Sequence, residues 1–135
     1  MTVQLSSPDS LMPAPYQHVA VATGTRHVHV AGQIARDSDG APMAPGDLAG
    51  QVVHALRNTY LGLQSVGAGF EDVVRLTFYV TAWSPEKIEA FMSGVHSVSA
   101  EVGLPTPMPP ASLIGVDYLF EPDVLVEVEA TAVLD

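Results

Sequence analysis

The sequence predicts a single α+β domain in which two helices pack on one face of a β-sheet. Runs in which apolar and polar residues alternate occur near both ends and in the middle of the chain. Between them lie two stretches with apolar residues at every third or fourth position, as in amphipathic helices. The 135 residues are 47% hydrophobic with a mean hydropathy of +0.26. These values suit a single domain over residues 1–135 that has one hydrophobic core.

The chain is strongly acidic. It has 15 Asp and Glu against 5 Lys and Arg, a formal net charge of −10. Such a charge repels phosphate backbones and anionic lipid head groups, so neither nucleic acid nor a membrane is an expected partner. There is no cysteine, which excludes disulfides and thiolate metal sites and favours a reducing, cytoplasmic environment.

The first 14 residues are predicted to be a flexible lead-in. They have neither the basic start nor the continuous apolar stretch of a signal peptide. No apolar run in the chain approaches the roughly 20 residues that a membrane-spanning helix needs. The sequence therefore predicts a soluble protein.

Two β-rich runs begin the folded part of the chain. They cover residues 18–23 and 26–33, and Gly24 and Thr25 between them suit a tight turn, so an antiparallel hairpin is predicted. Residues 36–46 are rich in Asp, Gly and Pro and predict a loop. The second run alternates between two faces, with Val28 and Val30 on one and His27, His29 and Ala31 on the other.

The two helical stretches carry recognisable start and stop signals. The first follows residue 46, and Gly67 is a suitable C-terminal cap. The second has Ser84 as a candidate N-cap, Pro85 in the first helical position and Gly103 at its end. Their apolar stripes are Leu48, Val52, Leu56, Tyr60 and Leu63 in the first, and Ile88, Phe91, Met92, Val95, Val98 and Val102 in the second.

Three further strands complete the order ββαβαββ. They are predicted over residues 73–81, 112–119 and 124–134, the first of them central. Each helix has one apolar stripe, so both are expected to cover the same face of one mixed sheet. The other face carries small and polar side chains, and we expect it to be covered by self-association into a closed ring. Residues of that face include Ala31, Thr77, Tyr79 and Ser112.

Several separate segments of the chain together resemble one protein family. In order, they are PYQHVAVATG, VHVAGQI, Gln51 with Asn58, VVRLTFYVT, PPAS and LVEVEATAV. Over residues 15–133 the chain resembles the RidA/YjgF family. The resemblance implies a chorismate-mutase-like fold, a homotrimer, no cofactor, and a small-molecule site in a cleft between subunits. There, family members use an arginine to hold a substrate carboxylate and a glutamate to position the water that hydrolyses an imine or enamine.

Three residues match functional positions of that family. The resemblance makes Glu127 the glutamate that positions water, Tyr16 the pocket tyrosine and Gly32 the glycine whose backbone lines the site. Each also has a structural interpretation: Glu127 as a solvated strand residue, and Tyr16 as the side chain that closes a loop onto the sheet. A carboxylate in an apolar segment favours the functional interpretation of Glu127.

Other positions of the site depart from the family pattern. Ala111 stands where the family has its arginine, and a shift of one residue would place Ser112 there instead. Ala31 stands where serine is common, and Leu113 where cysteine is frequent. The family's pocket asparagine falls near residues 90–91, which are Ala and Phe in this chain.

The missing arginine changes the expected substrate. A charge-assisted pair contributes about 1.5 to 3 kcal/mol, so activity on ordinary 2-imino acids is expected to be weak or absent. The sequence favours a deaminase-type enzyme acting on an imine, enamine or related reactive intermediate without that carboxylate. The alternative is a trimer that binds a ligand or partner without turnover.

Three remaining groups have open roles. Arg75 and Tyr79, on the polar face of the central strand, are further possible residues of the site. Arg75 is a candidate replacement for the absent arginine, although pairing with an acidic neighbour is favoured. His27 and His29 have a spacing that chelates metals, but no third ligand lies nearby in sequence, so no metal site is predicted. His96 is expected at the surface.

Overall fold

The computed structural model describes residues 2–135. Within that range the chain forms six strands and two α-helices, and short 3₁₀ turns precede β4 and α2. None of the described helices has the length and apolar character to cross a bilayer. The elements are β1 (Val3–Ser6), β2 (Val19–Ala22), β3 (Arg26–Gln33), α1 (Leu48–Gln64), β4 (Val73–Thr81), α2 (Ile88–Val102), β5 (Ala111–Val116) and β6 (Val126–Leu134).

Four of the strands form one mixed sheet in the order β3-β6-β4-β5. Strand β4 runs parallel to β5 and antiparallel to β6, which in turn is antiparallel to β3. The two helices pack on each other and on this sheet, confirming the predicted α+β arrangement of two helices on a mixed sheet. The last two strands, adjacent in sequence, are separated in the sheet by β4.

The predicted hairpin between the first two β-rich runs is wrong. Strand β2 pairs with β1, whereas β3 pairs with β6. A Cβ on Gly24 would overlap the Leu134 carbonyl, so this residue lets the chain pass closely over the end of β6 instead of turning back on β2. Strand β1 lies inside the predicted lead-in, and a hydrogen bond of 2.8 Å from Thr23 N to Thr2 O extends its pairing.

The hydrophobic core lies between the helices and the sheet. In β4, Leu76, Phe78 and Val80 are buried as the alternation predicts. Val74 continues the same alternation but is only half-buried, because an irregularity in the pairing with β6 puts Val73 in the core instead. The largest contributions from the other elements come from Val52, Leu56, Leu63, Phe70, Phe91, Val95, Val98, Val126 and Val128.

The helix ends follow most of the predicted signals. Asp47 caps α1, its carboxylate accepting a hydrogen bond of 3.0 Å from Gly50 N. Gly67 follows α1 with φ of 81°, and Gly103 ends α2 with φ of 70°, both in the left-handed region that favours glycine. Ser84 begins a 3₁₀ turn, Pro85–Lys87, and makes no side-chain hydrogen bond to the backbone there.

Two amides of α1 hold the loops that lead to and from the sheet. Gln51, 1% exposed, donates to Asp123 O at 3.0 Å and accepts from Leu125 N at 2.9 Å. Asn58 donates to Ile34 O and Arg36 O, both at 2.9 Å. These hydrogen bonds fix the start of β6 and the end of β3, so both amides have structural roles in this chain.

Candidate functional site

The sheet face opposite the helices carries a row of polar side chains and is called the open face below. The register pairs Tyr79 with Glu127, and Thr77 with both Glu129 and Ser112. Paired residues of neighbouring strands project from the same side of a sheet, so these side chains share the open face. Their chain neighbours Phe78, Val126 and Val128 are buried beneath the helices.

Glu127 lies against the backbone of Gly32. Strand β3 has two residues, Ala31 and Gly32, where β6 has one, because the register shifts between Val30 and Gln33. This bulge brings Gly32 next to the Glu127 side chain, and a Cβ on Gly32 would overlap that carboxylate. Only glycine leaves the space that this placement needs. The structure thus brings two sequence-predicted site residues together.

The environment of Glu127 makes it a better proton acceptor than an ordinary surface carboxylate. Its pKa is raised, first by burial and second by the negative charge of Glu129. Glu129 itself accepts a hydrogen bond of 2.6 Å from the Tyr79 hydroxyl. That hydrogen bond is the main reason why the pKa of Tyr79 is raised. Glu129 lies two residues from Glu127 on the same strand face, but the sequence does not indicate its hydrogen bond with Tyr79, which is 50 residues away.

A second group of predicted residues surrounds a cavity of about 190 Å³ at the edge of the sheet. Tyr16 is held there by backbone pairing with Met108, including a hydrogen bond of 2.7 Å from Gln17 N to Met108 O. Ala111, Ser112 and Leu113 also line the cavity. Phe91, near the position of the family's pocket asparagine, is also in the lining. The other lining residues, which the sequence does not indicate, are Pro15, Phe78, Ile88, Met92 and Met108.

Within one chain, the cavity and the Glu127 carboxylate are separate. Ala111 and Leu113 pack with the core on the helix side of the sheet, whereas Glu127 is on the open face. Strand β4 stands between β6 and β5, which separates the two strands by about 10 Å. A molecule that touches both groups therefore needs a surface that a single chain does not provide.

Arg75 does not pair with an acidic neighbour as favoured by the sequence. Its guanidinium donates to the Ser112 hydroxyl, and among residues 2–135 no carboxylate lies within ion-pair distance of it. Since Arg75 opposes Thr131, it lies four residues along the sheet from Glu127, or about 13 Å. The cation is therefore close to Ser112 but far from the carboxylate of its own chain.

The remaining predicted residues lie outside these groups. His27, His29 and Ala31 are exposed on β3, and His96 is exposed on α2. Across the described part of the chain, no three metal-ligating side chains come together.

Comparison with known proteins agrees with this architecture. A family model described as endoribonuclease L-PSP matches residues 7–134. The chain belongs to this family, which is that of the YjgF and RidA proteins. A solved Rid-family protein of unknown function, YyfB from Yersinia pestis, is 31% identical with a TM-score of 0.89, over 99% of this chain and 100% of that one.

Two further solved structures share the fold at lower identity. TdcF from E. coli, solved with bound serine, is 24% identical with a TM-score of 0.69, over 96% of this chain and 94% of that one. The YjgF gene product from E. coli is 24% identical with a TM-score of 0.68, with the same coverage. The comparison with curated proteins found no match.

Proposed function

We propose that this RidA-family protein hydrolyses a small imine or enamine-type intermediate in a cleft between subunits, with Glu127 as the group that activates water. The observation that carries the proposal is the half-buried Glu127 carboxylate, held against Gly32 with a raised pKa. Carboxylates whose proton affinity is raised by burial and a like charge are characteristic of sites that transfer protons.

The chemistry needs one base and one water molecule. Glu127 accepts a proton from water as the water oxygen bonds to the carbon of a protonated C=N group. Glu127 then gives this proton to the nitrogen of the resulting carbinolamine. As the C–N bond breaks, the carbinolamine hydroxyl passes its proton back to the Glu127 carboxylate, which leaves ammonia and a carbonyl product. Ammonia takes up that proton and departs as ammonium, which restores the carboxylate. A carboxylate with a raised pKa assists these transfers, because a pKa closer to neutral pH lets the group both accept and release protons.

The substrate proposed here has no carboxylate beside the reacting carbon. Ala111 offers no charge, and the surface around it is formed by aromatic and aliphatic side chains. RNA, which the family description suggests, is a poor substrate for a chain of net charge −10 with two carboxylates on its open face. The absence of cysteine agrees with a cytoplasmic site of action.

The same proposal includes a homotrimer that covers the open face. Ile114 shares this face and is 43% exposed, and Tyr118 and Phe120 after β5 are 58% and 73% exposed. Apolar groups of this size beside an uncovered sheet face favour a protein interface. In this proposal a second chain on the open face brings the Glu127 carboxylate of one subunit close to the cavity of the other.

Light scattering should give a mass near three times 14.2 kDa, the mass of one chain. Ile114→Asp should shift this mass toward one chain, because it would bury an unpaired charge in the interface. Leu61→Asp is the matched control, since Leu61 is 62% exposed on α1, on the helix side of the sheet. A wild-type monomer, or equal dissociation of both variants, would contradict the proposed ring.

A matched pair of imines tests the reaction and the substrate class together. A flavin amine oxidase generates one from 2-phenylethylamine, and an amino acid oxidase generates the other from phenylalanine, so they differ only by the carboxylate. We expect this protein to lower the initial rate of semicarbazone formation from the first imine, and to act about ten times or more less efficiently on the second. Faster removal of the phenylalanine imine would contradict the substrate assignment.

Failure with both imines would favour the alternative, a trimer that binds a ligand without turnover. The cavity beside Ala111 supports binding whether or not Glu127 transfers protons. Thermal-shift screening with neutral carbonyl compounds separates the two functions, because a ligand that binds only the folded state raises the melting temperature.

A further inference from the structure

The cavity at the edge of the sheet has an apolar lining. Its walls include Phe78, Phe91 and Met108, which are all at most 3% exposed, and none of its ten lining residues is charged. Tyr16 and Ser112 are the lining residues that carry hydroxyl groups, and the Ser112 hydroxyl accepts its hydrogen bond from Arg75 on the open face of the sheet. Ala111 lies in this wall. In this chain, therefore, an apolar side chain occupies the position at which the family resemblance places an arginine.

The walls are held by packing that does not depend on a ligand. The rings of Phe78 and Phe91 meet edge to face with centroids 5.0 Å apart, and Trp83 packs on Phe91 with centroids 6.3 Å apart. On the opposite side, Met108 N donates to Pro15 O at 3.0 Å, which fixes the segment that carries Tyr16. A preformed cavity binds without the entropy loss of ordering its walls.

The volume of the cavity suits one six-membered ring. The space is about 190 Å³, and an apolar cavity of about 150 Å³ in another protein stays dry and binds benzene. A carboxylate in the same space would lose its hydration without gaining a cation, which disfavours its binding. Size and lining therefore both select a neutral apolar group.

We infer that this cavity binds the ring-sized, uncharged apolar part of the molecule that is processed at Glu127. The inference rests on the proposed function, because it names the class of molecule that the same site takes. It makes Ala111 and Phe91 determinants of specificity, since a larger or charged side chain at either position would fill or polarise the cavity. Binding itself requires no turnover, so it can be measured with unreactive probes.

Two such probes are phenylacetamide and phenylacetate, which are nearly equal in shape but differ in charge. Titrated into the wild-type protein and followed by calorimetry and amide NMR shifts, the amide should bind saturably, with one site per chain. The acid should bind at least ten times more weakly, because its carboxylate finds no cation in the cavity. No binding of the amide, or tighter binding of the acid, would overturn the inference.

Two substitutions locate the binding. Ala111→Leu should reduce the affinity for phenylacetamide at least tenfold by filling the cavity, whereas Ala90→Leu makes the same change on the exposed side of α2 and should leave it unaltered. If Ala111→Leu does not fold, Met92→Ala should enlarge the space and admit 2-naphthylacetamide, which the wild type should exclude. Equal affinity in all these variants would place the probe elsewhere and overturn the inference.

The outcomes distinguish this inference from the proposed function. Saturable amide binding that Ala111→Leu weakens, without hydrolysis of either imine, would support the apolar pocket and contradict the enzymatic role. Imine hydrolysis that depends on Glu127, without binding of phenylacetamide, would support the enzymatic role and contradict the pocket.

Discussion

Replacing Glu127 with glutamine should lower the rate of imine hydrolysis by about a hundredfold or more, the usual contribution of a positioned general base. Glutamine keeps the shape of the side chain beside Gly32 but cannot accept a proton from water. The loss should appear in kcat for the imine derived from 2-phenylethylamine. A variant with wild-type turnover would remove Glu127 from the mechanism.

The same substitution should raise the melting temperature at neutral pH. The pKa of Glu127 is higher in the folded protein than in the unfolded chain, because burial and Glu129 disfavour its charged form. Its contribution to stability is therefore fully present below the unfolded pKa and is lost as the pH rises through the folded value. At neutral pH the ionised carboxylate destabilises the fold, and the neutral amide removes that effect. The gain should shrink in acid, which thermal melts at pH 4 and pH 7 would detect.

Glu129→Gln is the matched control, since it changes a carboxylate to an amide two residues away on the same face. Its amide oxygen still accepts the hydrogen bond from Tyr79. Removing the charge of Glu129 should lower the pKa of Glu127, so activity should persist and the acid limb of the pH–rate profile should move to lower pH. Equal inactivation by both substitutions would show that the pair acts together and that Glu127 is not the sole base.

Gly94→Val should destabilise the fold by about 3 kcal/mol, the upper part of the range for overpacked cores. Helices α1 and α2 meet at Gly94, where an added Cβ would lie 2.6 Å from Ala49 O and 2.8 Å from Val52 Cβ. The first of these atoms belongs to the backbone, so the clash is relieved only if the helices move apart. Urea denaturation followed by circular dichroism would measure the change.

Ser93→Ala provides the comparison for that measurement. Ser93 is exposed and adjacent to Gly94 in α2, so alanine there improves helix propensity without a new contact. We expect a gain of about half a kcal/mol or less. A Gly94→Val protein as stable as wild type would mean that the two helices separate without loss of packing.

The fold was predictable wherever the signals were local. Strand β4 covers residues 73–81 as predicted, and α2 ends before Gly103 as predicted, because alternation and the left-handed cap are properties of short segments. The hairpin failed because Gly24 and Thr25 indicate a change of direction but not a pairing partner. Strand β2 pairs with residues 3–6, a segment too short to show a clear alternation of apolar and polar residues.

The candidate site was predictable only in part. The resemblance makes Glu127 and Gly32 candidates, but the bulge that brings them together depends on how β3 and β6 align. The partner of Arg75 was missed because Ser112 is 37 residues away and becomes its neighbour only through the register of β4 with β5. Sequence spacing alone does not encode contacts of this kind.

The pairing of β1 with β2 has a practical consequence for preparing this protein. A version trimmed to the family match, residues 7–134, would omit all of β1 and leave the hydrogen-bonding edge of β2 bare. Val19 and Val21 on that edge are already 41% and 60% exposed. An exposed apolar strand edge pairs with strands of other molecules, so the shortened protein would be prone to aggregation. Loss of activity in such a sample would therefore not be evidence against a role for Glu127.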